Sequence, residues 1–177
     1  MRLFVALDLP WELKQRLAVL CGGITGARWV PVENFHLTLR FIGDADPVQA
    51  EEIDLALASV RAPRLPLDLT GIGTFGKADR VVTLWAGVAR TEALEHLHGK
   101  IETALRRAGM EPERRRFIPH ITLARLDQAA EAKVAAFIQA KNLFRAAPAV
   151  MDHFTLFSSH LHPDGAIYTP EAEYRLA

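Results

Sequence analysis

The residues His36-Leu37-Thr38-Leu39 return as His120-Ile121-Thr122-Leu123, so one four-residue pattern, H-x-T-L, is written twice in a chain of 177 residues. In an extended strand, side chains two apart point to the same face, so each copy lays an imidazole beside a hydroxyl while its two apolar residues turn the other way. The copies lie 84 positions apart, close to half the chain. That spacing predicts two similar lobes, each giving one histidine and one threonine to a shared cleft wide enough for a phosphate.

The flanking residues follow the same alternation. Phe35, Leu37, Leu39 and Phe41 fall on one face and His36, Thr38 and Arg40 on the other, which predicts extended chain from Trp29 to Ile42. An apolar run from Leu3 to Leu9 reads as a buried strand. Pro10 opens a helix with Trp11, Leu13, Leu17 and Leu20 as its stripe, and Gly22-Gly23 ends it. Asp46-Pro47 opens a second helix that Pro63 and Pro66 close, and a strand from Leu67 to Phe75 follows. The second half repeats the order: a strand from Val81 to Val88, a helix from Thr91 to about Arg107 with Gly109 as its stop, the motif segment Phe117 to Leu126, a helix from Gln128 to Ala140, and a strand from Val150 to Ser158. Pro163-Asp164-Gly165 is a turn signal, which predicts a closing strand from Ala166 to Leu176. No linker separates the halves, so residues 1–177 are expected to form a single domain of two intertwined lobes.

Composition limits what the cleft can meet. Half of the residues are hydrophobic, enough for a sizeable core, while 21 basic residues balance 21 acidic ones. No global positive field therefore draws the protein along a polyanion, and any nucleic-acid contact must be local. One basic cluster, Arg106, Arg107, Arg114, Arg115 and Arg116, leads into the second motif, with a solvated helix end and loop as its other reading. The single cysteine, Cys21, excludes an internal disulfide and reads as a small buried hydrophobe in a reducing compartment. Asp8 and Pro10 leave the apolar N-terminus too short for a signal peptide or membrane span, so a cytoplasmic setting without membrane contact is expected.

Breaking a phosphodiester without a metal needs a base for the attacking water and an acid for the departing oxygen. Histidine, with an ordinary pKa near 6.5, can be either around neutral pH. His36 and His120 are the candidate catalytic pair. Thr38 and Thr122 can each donate a hydrogen bond to a non-bridging phosphate oxygen, which valine could not do. Arg40 shares the motif face and is a candidate phosphate contact, a solvated charge being the alternative. Arg125 breaks the alternation: counted from His120 it falls on the core face, so the strand must end or bulge near Ala124 if Arg125 is to swing back as a phosphate clamp. Phe75 and Trp85 flank a glycine-bearing loop and are candidates to stack on a base, with core packing as the other role. A zinc site lacks ligand spacing at either motif. His160-Leu161-His162 with Asp164 is the remaining metal option, and His96 and His98 read as surface residues. No cofactor is called for.

Two stretches, Arg28-Trp29-Val30-Pro31-Val32-Glu33-Asn34-Phe35-His36-Leu37-Thr38-Leu39-Arg40-Phe41-Ile42-Gly43 and Phe117-Ile118-Pro119-His120-Ile121-Thr122-Leu123-Ala124-Arg125, resemble the two-histidine phosphoesterases. The most similar branch is the RNA 2',3'-cyclic phosphodiesterases, long called 2'-5' RNA ligases. The resemblance extends to Gly71-Ile72-Gly73-Thr74-Phe75, Leu84-Trp85-Ala86-Gly87-Val88 and the stretch from Ser158 to Tyr168. It implies a bilobal α+β fold with an antiparallel sheet in each lobe lining a central cleft, helices outside, and no metal. It further implies hydrolysis of a terminal 2',3'-cyclic phosphate to a 2'-phosphate. In that scheme His36 protonates the leaving 3' oxygen, His120 activates water, Thr38 and Thr122 hold phosphate oxygens, and Arg125 matches the family arginine after the second motif. The expected partner is RNA with a 2',3'-cyclic phosphate end, such as a tRNA fragment, or a small cyclic nucleotide, met by a monomer. Joining of tRNA halves through a 2'-5' linkage and non-catalytic binding of RNA 3' ends are the alternatives. The chain departs from its relatives at Val81 and Val82, where they often carry proline and arginine, which removes a positive charge near Phe75 and Trp85.

Overall fold

The computed structural model describes residues 1–77, 80–126, 129 and 131–177, with the side chains of Lys77 and Val81 outside the description. The family departure expected at Val81 therefore lies outside the described side chains, and the helix start expected at Gln128 lies outside the described residues. Ten strands and four helices alternate along the described chain: β1 (Arg2–Asp8), α1 (Trp11–Leu20), β2 (Arg28–Trp29), β3 (His36–Asp44), α2 (Pro47–Ala58), β4 (Leu65–Leu67), β5 (Leu69–Lys77), β6 (Arg80–Val88), α3 (Glu92–Arg107), β7 (His120–Arg125), α4 (Glu131–Lys141), β8 (Ala149–Met151), β9 (His153–His162) and β10 (Gly165–Arg175). This is an α+β fold built on antiparallel pairing.

Helix limits follow local chemistry. Asp46 accepts from the Gln49 amide while the Gln49 side chain accepts from the Asp46 amide, a reciprocal capping box with Pro47 as the first helical residue. Thr91 caps α3 through its hydroxyl, and Gly109, at φ 89°, follows the end of that helix in a left-handed conformation.

The main strands form two four-stranded sheets, ordered β10-β9-β1-β3 and β2-β7-β6-β5, with β4 and β8 as a separate pair. Each motif strand lies beside the first strand of its own half, but the third strand of each half crosses over: β9 pairs with β1, and β5 with β6. The short β2, just ahead of the first motif, pairs with β7, where the Val30 amide donates to the Leu123 carbonyl at 2.8 Å. Strands β3 and β7 are in contact, so the crossing connections hold the two motifs together.

Strand β1 shows why its sequence is continuously apolar. Leu3, Val5 and Leu7 enter the main core with Leu13 and Leu17 of α1 and Ile53 and Leu57 of α2. Phe4 and Ala6, on the other face, join Phe157 in a smaller cluster against Tyr168. Burial on both faces removes the two-residue period that a one-sided strand would show. No described helix is long and apolar enough to cross a membrane.

Three expectations need correction. Trp29 to Ile42 is not one extended segment, because Pro31 leads into a 3₁₀ turn at Val32–Asn34 before β3 begins. Phe75 does not flank a loop but lies within β5, paired with Thr83. Arg40 does not share the face of His36. The pairing of β1 with β3 slips between Val5 and Ala6, so that Val5 faces Arg40 while Ala6 faces Thr38, and Leu39 is the extra residue of a bulge. Beyond that bulge the faces exchange. Arg40 is buried against α3, 2.7 Å from Glu102 and bonded to the Glu111 carbonyl, whereas Phe41 turns out on the motif face beside Phe4.

Candidate active site

The second motif repeats the bulge of the first. Trp85 pairs with Thr122 and Leu84 with Ala124, so Leu123 is the extra residue on β7. Along both hexapeptides the histidine and threonine are half-buried, the intervening residue and the two after the threonine are buried, and the sixth is exposed. The sixth positions are Phe41 and Arg125. The break expected near Ala124 is therefore a bulge one residue earlier, and it leaves Arg125 exposed beyond the buried Ala124. Arg125 also lies near enough to Tyr168 for its charge to oppose the upward push that burial gives the Tyr168 hydroxyl.

Each histidine is oriented by the same local device. His36 Nδ1 lies 2.7 Å from the Asn34 carbonyl and His120 Nδ1 lies 2.6 Å from the Ile118 carbonyl. A carbonyl only accepts, so Nδ1 carries the proton in both rings and Nε2 is the nitrogen that gains or loses one. Nε2 of His36 meets the Thr38 hydroxyl at 2.9 Å, accepting from it when the ring is neutral. Asn34 is fixed in turn, its side-chain amide donating to the Ala166 carbonyl of β10 at 3.0 Å.

Aromatic rings surround both imidazoles. Phe4 and Tyr168 stand 5.1 and 5.3 Å from His36, with the tyrosine edge-on at 88°. Phe75 stands 4.8 Å from His120, edge-on at 87°, and Trp85 at 6.0 Å. Burial among these rings is the largest influence on both histidines and lowers their pKa values below the ordinary 6.5, while the Asn34 and Ile118 carbonyls oppose it. His120 also disfavours the cation at His36, so the two rings are within electrostatic reach.

Phe75 and Trp85 thus lie beside His120, 5.2 Å from one another. Gly73, opposite Trp85 on β5, makes room for the indole, since a Cβ there would stand 2.2 Å from the ring. The indole Nε1 is buried without a hydrogen-bond partner among the described residues, so packing holds the ring. A Gly73→Ala protein is expected to displace Trp85 from this position, changing the intrinsic indole fluorescence with a modest fall in Tm; an unchanged spectrum would show that the ring keeps its place.

Other expected residues sit elsewhere. The five arginines of the basic cluster are all exposed. His98 is not a surface residue: it stacks on Phe117, 4.0 Å apart and nearly parallel, and burial lowers its pKa. His96 is exposed. His162 lies 3.7 Å from Asp164 at the hairpin, and no cluster of three His, Cys, Asp or Glu side chains able to hold a metal occurs among the described residues. Cys21 is half-buried, and burial pushes its thiol up to about 11. Phe4, Asn34 and Tyr168 were not singled out from sequence, although Phe4 shares the alternate positions of β1 with Ala6 and Asp8, the set that faces the first motif.

A family model described as the 2'-5' RNA ligase superfamily matches residues 11–163. The chain belongs to that superfamily. It is 32% identical over 174 residues to the RNA 2',3'-cyclic phosphodiesterase of Thermotoga maritima, covering 95% of this chain and 91% of that one. It is 42% identical over 95 residues to the protein of the same name from Aeropyrum pernix, a match covering 53% of this chain and about half, 54%, of that protein's length. Among solved structures, Escherichia coli LigT in complex with 3'-AMP superposes with a TM-score of 0.80 at 27% identity, covering 99% of this chain and 97% of that one. The superfamily's fold is therefore present over nearly the whole chain.

Proposed function

We propose that this protein is a metal-independent RNA 2',3'-cyclic phosphodiesterase that opens a terminal cyclic phosphate to a 2'-phosphate. The observation that carries the reading is the pair of histidines with the same orientation, each with Nδ1 tied to a carbonyl and Nε2 free to exchange a proton, each followed two residues on by a threonine. Relatives named RNA 2',3'-cyclic phosphodiesterases support it.

In this reading His120 Nε2 takes a proton from water as the water oxygen bonds to phosphorus. The bond from phosphorus to the 3' oxygen breaks, and His36 Nε2–H gives that oxygen its proton, leaving a 3'-hydroxyl and a 2'-phosphate. Thr38 and Thr122 donate to the non-bridging oxygens, and Arg125 adds a cation where charge accumulates. Phe75 and Trp85 offer a ring surface to the terminal base. Exchange with solvent returns the proton from His120 to His36. The working unit is a single chain, since both motif strands belong to one polypeptide, and the free Cys21 suits a reducing, cytoplasmic setting. The substrate is RNA bearing a cyclic phosphate end, recognised through a few contacts in keeping with zero net charge.

Hydrolysis of a short RNA ending in a 2',3'-cyclic phosphate, with chelator present and across pH 5 to 9, tests this reading. A bell-shaped profile with only 2'-phosphate product is expected, and no turnover would sink it. Adding an RNA with a 5'-hydroxyl reports any joining in the reverse direction.

The lowered histidine pKa values set the shape of the profile. The dependence of kcat/KM on pH reports the free enzyme, where both imidazoles are biased towards neutrality, and that of kcat reports the complex. A bound phosphate anion favours both imidazolium forms and raises both pKa values. Both limbs of the kcat profile should therefore lie about one unit above those of kcat/KM. Coincident limbs would mean that the titrating groups do not face the phosphate.

A further inference from the structure

The two halves of the site match position by position, which isolates what differs between them. Across β1 and β3 the motif-facing pairs are Phe4 with Phe41, Ala6 with Thr38, and Asp8 with His36. Across β6 and β7 they are Thr83 with Arg125, Trp85 with Thr122, and Gly87 with His120. His36 thus stands opposite a carboxylate and His120 opposite a glycine.

Both sides of that difference are built. A Cβ at Gly87 would lie 2.5 Å from the Thr70 carbonyl oxygen, so the second sheet has no room for a side chain there. Asp8 is held by Lys14 of α1, 2.8 Å from its carboxylate, and Lys14 is almost fully buried. The same ammonium donates to the Glu33 carbonyl at 2.7 Å, in the turn whose next carbonyl, that of Asn34, holds His36. One buried cation therefore fixes both the carboxylate opposite His36 and the backbone beneath it.

We propose that Asp8, anchored by Lys14, is a positioning residue that keeps a proton on His36 and so gives the donor role to His36 rather than to His120. The inference rests on the hydrolase reading for that role. Burial among Phe4, Phe157 and Tyr168 drives the His36 ring towards neutrality, yet a donor must hold its proton until the 3' oxygen departs. The groups facing His36 are Asp8 and the Asn34 carbonyl, which favour the cation, and Lys14 and His120, which oppose it. At His120 the Ile118 carbonyl is the favouring group, and among the described residues no carboxylate matches Asp8. The difference between the halves thus lies in one cross-strand pair and not in the motifs.

The test is NMR titration of the His36 and His120 ring nitrogens in the ligand-free protein, alongside the pH profile of kcat/KM. Asp8→Asn preserves shape and removes charge. It is expected to lower the pH at which His36 loses its proton by about half a unit, leave His120 in place, and lower kcat/KM at pH 7.5 about threefold. Asp8→Glu should keep the parent profile. If Asp8→Asn leaves the His36 titration unmoved, or moves both histidines equally, the proposal is overturned while the hydrolase reading stands. If the parent protein fails to open the cyclic phosphate but His36 still shifts, the hydrolase reading and the donor role fall and Asp8's hold on the His36 proton is supported.

Discussion

Replacing either histidine by alanine should lower kcat for cyclic-phosphate hydrolysis by about 10²- to 10⁴-fold, the usual worth of one general acid or base. KM should change little, because each imidazole acts mainly in the transition state. The double variant, His36→Ala with His120→Ala, should lose less than the product of the two single losses: once one proton transfer is missing, the partner has little left to assist. Single-turnover rates with a short cyclic-phosphate RNA would show this. Full activity in the double variant would remove these residues from the chemistry. Alanine at either site should also leave Tm nearly unchanged, since each ring is only half-buried and stands outside the main core.

Arg40 should show the opposite behaviour, with a large effect on stability and a small direct one on chemistry. Its guanidinium is buried, bonded to Glu102 of α3 and to the Glu111 carbonyl. Arg40→Met would leave the Glu102 carboxylate, itself largely buried, without its cation, and one Glu102 oxygen already lacks a hydrogen-bond partner. Removing one member of such a pair costs about 3 to 5 kcal/mol. Replacing both, Arg40→Met with Glu102→Leu, should recover most of that loss, because the more buried carboxylate leaves with its cation, and the remaining neighbour Glu113 is farther away and better solvated. Denaturant unfolding of the three variants measures the coupling. A single variant as stable as the parent would show that Arg40 is solvated, as its place in the alternating pattern suggests.

Arg40 also shows where reading the pattern stops. The duplicated H-x-T-L, the strand–helix order of each half, the capping residues of α2 and α3, and the closing hairpin are all legible in the chain. Each rests on local chemistry: a two-residue period, a short polar side chain ahead of a helix, a turn dipeptide. The bulges at Leu39 and Leu123 are not legible, because an inserted residue is defined only by the partner strand that skips it. Each bulge reverses the facing of the residues directly beyond it, sending Arg40 into the core and bringing Phe41 to the motif face. In the second strand it leaves Arg125 exposed past the buried Ala124. The break in alternation at Arg125 in the second motif hinted at such a device, whereas the unbroken alternation of the first concealed it.

The surroundings of the histidines were out of reach for the same reason. Phe4 and Tyr168 come from β1 and β10, more than 150 residues apart in the chain, and meet His36 because β9 lies between those strands in one sheet. The sequence by itself determined the candidate reacting groups and their local geometry, since those depend on spacing within a strand. Only the tertiary structure decided what each group faces, and with it the ring packing at both sites and the Asp8 that distinguishes one histidine from the other, because strand order and register are set by pairing between segments far apart in the chain.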